Sequence, residues 1–191
     1  MPISAGGSDG TIGRGERFAS GARRAVFKLE ALRDLTFGIG RARNFDESIR
    51  IALMAILGTF SISKGILFLD EYGEFRARIS RGLPPGVPPI ARSQGLIRCL
   101  RGARRPVAVA GRGASGAISR AVAEVARAVP SFAAETFCPL GTRKEVLGMI
   151  LLGRPLGGGK LSPLQREVLS VMAAVLSAHL SHHRGARSRP A

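Results

Sequence analysis

The stretch GILFLDEYGEFRARISRGL, Gly65 to Leu83, decides how the chain folds. Gly65–Leu69 is a short, continuous apolar run ending at turn residues, the pattern of a strand buried on both faces. Asp70-Glu-Tyr-Gly73 reads as a turn. Beyond it Phe75, Ala77 and Ile79 alternate with Arg76, Arg78 and Ser80, the period of a strand with one face in the core. The stretch therefore predicts an antiparallel hairpin, its first strand deep and its second half-exposed.

Upstream the period is helical. Val26, Leu29, Leu32 and Leu35 form an apolar stripe from Ala25 to about Arg41. Asn44-Phe-Asp-Glu47 then opens a second helix, with Asn44 as cap and two acids in the positive first turn. That helix runs to about Phe60, with Ile49, Leu53, Ile56 and Leu57 on one face. Downstream, Gly82-Leu-Pro-Pro-Gly-Val-Pro-Pro89 is a loop. A short helix around Gly95–Arg101, a strand at Pro106–Ala110 and a helix over Ile118–Val129 follow. Phe132–Leu140 and Val146–Leu152 read as a second hairpin. Ser162-Pro-Leu-Gln165 combines a capping serine, a first-turn proline and a capping-box glutamine, starting a helix that runs to about His183.

Two hairpins between helices give an α+β domain with a central antiparallel sheet of about five to six strands. Residues 25–183 form the domain; residues 1–24 read as a disordered Gly/Ser-rich arm and residues 184–191 as a basic disordered tail.

Three stretches in this order, Gly65–Leu83, Glu135–Pro155 (ETFCPLGTRKEVLGMILLGRP) and Leu161–Leu180 (LSPLQREVLSVMAAVLSAHL), resemble the GAF domain, a sensory module of signalling proteins. The resemblance spans Leu29 to Leu180 and rests on order and spacing, no single motif being diagnostic. It implies terminal helices on one sheet face, which often pair with those of another subunit. It also implies a roof of loops and short helices on the other face, here Leu83–Val129, enclosing a small-molecule pocket where there is one. Three ligand signatures of the family do not carry over. Cys99 lies where bilin-binding members attach their chromophore but lacks that motif's aromatic and histidine surroundings. Asn44-Phe45-Asp46-Glu47 echoes a cyclic-nucleotide signature but precedes the first strand, where it caps a helix. The sulfoxide-reductase branch needs several roof cysteines, and the roof has Cys99 alone.

The resemblance thus implies a non-catalytic sensory module acting by small-ligand binding, dimerisation or both. For the pocket we expect a floor of Phe68, Ile79, Phe137 and Met149, with Leu96 and Cys99 above and Arg98 or Arg112 at the rim, an apolar lining with a few orienting polar groups. Which member of a pair such as Phe137 and Cys138 faces the roof is left open. The competing expectation is a packed core with no cavity. No cofactor is named by any motif.

The residues themselves offer little catalytic chemistry. Gly111-Arg-Gly-Ala-Ser-Gly116 is a literal G-x-G-x-x-G after a strand, yet the continuing βα units of a dinucleotide fold are missing. His179, His182 and His183 have metal-ligand spacing on a helix, but at a helix C-terminus histidines more often complement the dipole. Without histidine elsewhere, Cys99 or Ser115 lacks a base.

Across 191 residues, 29 Lys+Arg face 13 Asp+Glu, a net charge of +16. Only Lys28, Lys64, Lys144 and Lys160 are lysine, so the excess is arginine, much of it in the roof. Arginine suits phosphate and carboxylate, so one reading of the roof arginines is a lid for an anionic small molecule; the other, and the weightier, is a solvated arginine-rich face of the kind GC-rich coding produces. The alternative is a basic adaptor that binds nucleic acid or nucleotide; the low aromatic content, 5%, weighs against it. Apolar stretches fall short of the ~18–20 residues of a membrane span, and no secretory signal opens the chain, so a cytoplasmic protein is expected. Terminal helices with more apolar surface than one sheet face covers imply a homodimer. No kinase, cyclase or DNA-binding pattern accompanies the domain, so a separate signalling protein is the expected output.

Overall fold

The computed structural model describes residues 12–103, 105–109, 116–142 and 144–187. Its backbone is a six-stranded antiparallel sheet between two helical layers. Helices α1 (Ile12–Arg41) and α2 (Phe45–Thr59) precede the hairpin β1 (Gly65–Glu71) and β2 (Glu74–Arg81). The roof consists of β3 (Ile90–Ala91), α3 (Gln94–Gly102), β4 (Val107–Ala108) and α4 (Gly116–Ala128). The second hairpin, β5 (Thr136–Gly141) and β6 (Val146–Leu152), leads to α5 (Pro163–Arg187). The strand order is β3-β2-β1-β6-β5-β4, which places the two apolar runs at the centre.

Local chemistry sets most element starts. The Asn44 side chain accepts from the Glu47 amide at 2.9 Å, and Glu47 Oε2 accepts from the Arg43 amide at 2.8 Å. Ser162 and Gln165 exchange the two bonds of a capping box, at 3.2 and 2.8 Å. The first hairpin turn is shorter than expected. Tyr72 and Gly73 both have positive φ, 52° and 83°, the two-residue turn whose twist matches its strands. Asp70 and Glu71, expected in the turn, thus belong to β1. Residues 12–24, assigned to the arm from composition, continue α1 toward the N-terminus, and α5 extends through Arg187. No proline interrupts Ile12–Arg41, and alanine and arginine favour helix enough to offset single glycines.

One core layer lies between the sheet and α1, α2 and α5. It contains Leu35, Ile49, Leu53, Ile56, Leu67, Ile150, Met172 and Leu176. The other lies under the roof and contains Ile66, Phe68, Phe75, Leu96, Phe132, Phe137, Met149 and Leu151. Two register shifts decide which side chain goes where. Leu67 pairs with Ile79 while Phe68 pairs with Ala77, so Arg78 is the extra residue of a bulge. Leu140 pairs with Gly148 while Gly141 pairs with Val146, which makes Leu147 the extra residue of a second. Each bulge reverses the alternation beyond it.

The outer edge of β5 is closed to further pairing. β4 covers only Thr136 and Phe137, Pro139 has no N–H to donate, and the Gly141 amide donates to Ser177 Oγ of α5 at 2.9 Å. Among the described residues no helix is long and apolar enough to cross a membrane.

At the sheet centre, a Cβ on Gly148 would stand 2.1 Å from the Phe68 carbonyl oxygen. The close β1–β6 approach therefore requires glycine. Gly148→Ala should destabilise the fold by about 1–3 kcal/mol in urea titrations. Gly157→Ala, whose Cβ meets nothing within 4 Å, should leave the midpoint where it is.

Candidate functional site

The roof is built around α3. Ser93, extended at φ −73° and ψ 148°, caps it by accepting from the Leu96 amide at 3.2 Å. Leu96 and Leu100 point inward and are buried. Gln94, Ile97, Arg98 and Arg101 recur at i, i+3, i+4 and i+7, which collects them on the opposite face. With Arg92 they line an open groove of ≈ 450 Å³ on the outside of the roof.

Arg92 is anchored. Its Nη2 lies 3.3 Å from Oδ2 of Asp70, whose side chain is only 4% exposed. Asp70 has the parity of Phe68 in β1 and so faces the roof, where a guanidinium compensates its buried charge. Arg92 is one of the roof arginines that the sequence offers as a lid for an anion, whereas Asp70 was not singled out as a site residue. Counting in twos from Phe68 would have placed Asp70 under the roof; assigning it to the turn concealed this.

Of the residues expected to line a pocket, Phe68, Phe137, Met149 and Leu96 do converge under the roof. Phe68, Phe137 and Met149 have 0% accessible surface, so no water-sized space adjoins them; the neighbouring side chains fill the volume. Cys99 packs half-buried against the same cluster. Ile79 does not join them. The bulge at Arg78 turns it to the other sheet face, against the helical layer. Arg98 faces the outer groove rather than the interior. Arg112, with Gly111–Ser115 of the glycine-rich loop, lies outside the described residues.

The histidines belong to the helical layer. His179 Nε2 is 2.8 Å from Ser48 Oγ, and that hydroxyl donates to the Phe45 carbonyl at 2.6 Å. The serine proton is therefore committed to a backbone oxygen, and the imidazole N–H donates to the serine. The pair clamps α2 to α5; it does not activate a nucleophile. His183 lies beside His179, ring centroids 4.7 Å apart. Among the described residues no three His, Cys, Asp or Glu side chains converge as a metal requires.

No family model matches the chain's sequence, and no curated protein matches it. Solved structures do. The GAF domain of a phosphoenolpyruvate-protein phosphotransferase from Coxiella burnetii superposes with a TM-score of 0.65 at 16% identity, over 86% of this chain and 99% of that one. The GAF domain of the Acinetobacter phosphoenolpyruvate-protein phosphotransferase gives 0.63 at 18% identity, over 82% and 94%. That of a putative sensor histidine kinase from Pseudomonas syringae pv. tomato gives 0.53 at 16%, over 91% and 95%. The chain has a GAF-like fold.

Within this GAF-like frame the two thiols differ in kind. Cys138 is wholly enclosed beneath the terminal helices, and burial pushes its pKa up to about 12, leaving almost no thiolate at neutral pH. Cys99 sits half-buried in the roof. A maleimide should label the native protein at Cys99 alone, with a second equivalent only after denaturation. Labelling of native Cys138, read by peptide mass, would contradict the packing.

Burial, then His183 and His182, lowers the pKa of His179 below its ordinary 6.5. The folded state thus binds fewer protons than the unfolded one just below that value, so the contribution of His179 is complete above pH 6.5 and erodes as pH falls. The urea midpoint should drop between pH 7.5 and 5.5, and by less in His179→Gln. Equal drops would dissociate His179 from the effect.

Proposed function

We propose that the chain is a non-catalytic, sensory GAF-like domain. It works in the cytoplasm as a homodimer formed by its terminal helices and passes its state to a signalling partner. The fold supports the reading, as do the signalling proteins whose GAF domains it resembles. So does the sequence, whose three histidines all lie on α5 and give neither nucleophile candidate, Cys99 or Ser115, a base of its own in the roof.

The observation that carries the dimer is on α1. Its inner face, with Ala31 and Leu35, is buried against the domain, yet Val26, Leu29 and Phe37 are 52%, 67% and 62% exposed on the outside. At 100° per residue these three fall within roughly 80° of one another, a second apolar stripe on a helix already packed on one side. Val171 of α5 is exposed as well. Lys28 Nζ contacts Glu167 Oε1 at 2.7 Å, so α1 is fastened to α5 at the level of the stripe. Gly38, whose Cβ would meet Ile51 at 2.6 Å, lets α1 lie close on α2. A second copy of the stripe is the complementary cover, since a two-fold axis sets the same residues against each other. An anionic small molecule is the proposed input.

Sedimentation should show a dimer at micromolar concentration. Leu29→Lys with Phe37→Lys removes two apolar side chains per copy, worth about 1.5–3 kcal/mol each when buried, and should yield a folded monomer. A parent that is monomeric at high micromolar concentration would refute the dimer.

A further inference from the structure

We propose that the groove on the outer face of α3 binds a small ligand bearing two adjacent phosphate groups, held by Arg92, Arg98 and Arg101. The inference rests on the sensory reading above for its purpose, naming the input's chemistry and where it docks. The site itself is argued from its residues.

Three arginines line this groove, and among the described residues one carboxylate pairs with any of them. That carboxylate, Asp70, is buried behind Arg92 and already engaged with it. Among the described residues no acid lies within ion-pair distance of Arg98 or Arg101. These two stand about one helical turn apart, roughly 5 Å along the axis, so without a counter-ion they repel. An oxyanion with two charged groups a few ångströms apart matches that separation, and the planar fork of arginine pairs bidentately with phosphate. Asp70 fixes the third guanidinium in place, which lowers the entropy lost on binding. Gln94 adds an amide, and half-buried Ile97 an apolar patch between the charges. The groove volume, ≈ 450 Å³, is that of a small-molecule site.

The geometry favours a small ligand over a polynucleotide. A nucleic-acid track needs cations spread along a surface to contact successive phosphates. On α4, Arg120 and Arg127 instead turn Nε back to their own helix, to the Gly116 and Ala123 carbonyls at 3.3 and 3.4 Å. On the nine-residue α3, by contrast, Arg98 and Arg101 share one exposed face.

The test is calorimetric titration of the full chain with inorganic pyrophosphate, orthophosphate and ADP. Pyrophosphate should bind saturably, one per chain, and orthophosphate about tenfold more weakly. Arg98→Ala/Arg101→Ala, both at exposed positions, should lose at least tenfold in pyrophosphate affinity with the thermal midpoint unchanged. Arg92→Lys, which keeps the charge but not the fork, should also weaken binding. Arg120→Ala/Arg127→Ala should bind as the parent does. ADP binding tighter than pyrophosphate identifies a nucleotide; equal affinity identifies a diphosphate read without its base. Absence of saturable binding at millimolar pyrophosphate, or parental affinity in Arg98→Ala/Arg101→Ala, overturns the site. So does tight binding of a short DNA duplex that the α3 and α4 variants weaken equally. Sedimentation keeps the two readings apart: a monomer that binds pyrophosphate removes the dimer and leaves the site, and a dimer indifferent to pyrophosphate does the reverse.

Discussion

β1 and β6 lie side by side at the centre of the sheet, and their apolar runs are buried on both faces from Gly65 to Asp70 and from Val146 to Leu152. An antiparallel pair that leaves neither face to water needs cover above and below. The two helical layers answer that need. Helices α1, α2 and α5 cover Leu67, Leu69, Ile150 and Leu152; α3, α4 and the segment through Phe132 cover Ile66, Phe68, Met149 and Leu151. The close approach at Gly148 holds the pair together, and the remaining strands extend the sheet outward from it.

The bulges distribute the charge around that centre. Without the extra residue at Arg78, Ile79 would share a face with Phe75 and Ala77. With it, Ile79 packs on the helical side, and Arg78 is positioned to pair with Asp46 of α2 and Glu71 of β1. The adjacent residue, Asp70, turns the other way to Arg92 of the roof. Asp70 of β1 thus ties the hairpin to the roof and Arg78 of β2 ties it to α2, with Glu71 bracing Arg78 inside the hairpin. Ion pairs exposed to this degree at one partner contribute little energy each; their effect here is to fix orientation.

Much of this was legible in the residues. The apolar run before Tyr72-Gly73, the alternation after it, the capping box at Ser162–Gln165 and the Asn44 cap each carry a local physical signal, and each lies where the sequence puts it. The slips were in parity. A bulge depends on how two strands meet, and nothing in the FRARIS run marks Arg78 as the extra residue. β3 was not foreseen, because a two-residue strand has no period to detect and is defined by its partner; β4 lies inside the strand read at Pro106–Ala110 but is only two residues long. The expected pocket came from resemblance, and resemblance cannot report whether side chains such as Phe68, Phe137 and Met149 fill the space a ligand would occupy.

The amphipathicity of α3 explains why that space is filled and why the roof's charge lies outside it. Leu96 and Leu100 supply the inward face, and the residues opposite them are Gln94, Arg98 and Arg101. Turning either arginine inward would strip a guanidinium of water over Phe68, Phe137 and Met149 with no carboxylate to receive it, a cost of several kcal/mol. Among the described residues the buried acid under the roof, Asp70, is matched by Arg92 from the chain entering α3. Among the described residues the interior is thus an apolar cluster with the compensated Asp70–Arg92 pair at its margin. A polar ligand entering it would have to displace packed side chains and separate that pair, whereas the outer face of α3 carries arginines already hydrated, beside an Arg92 held by Asp70.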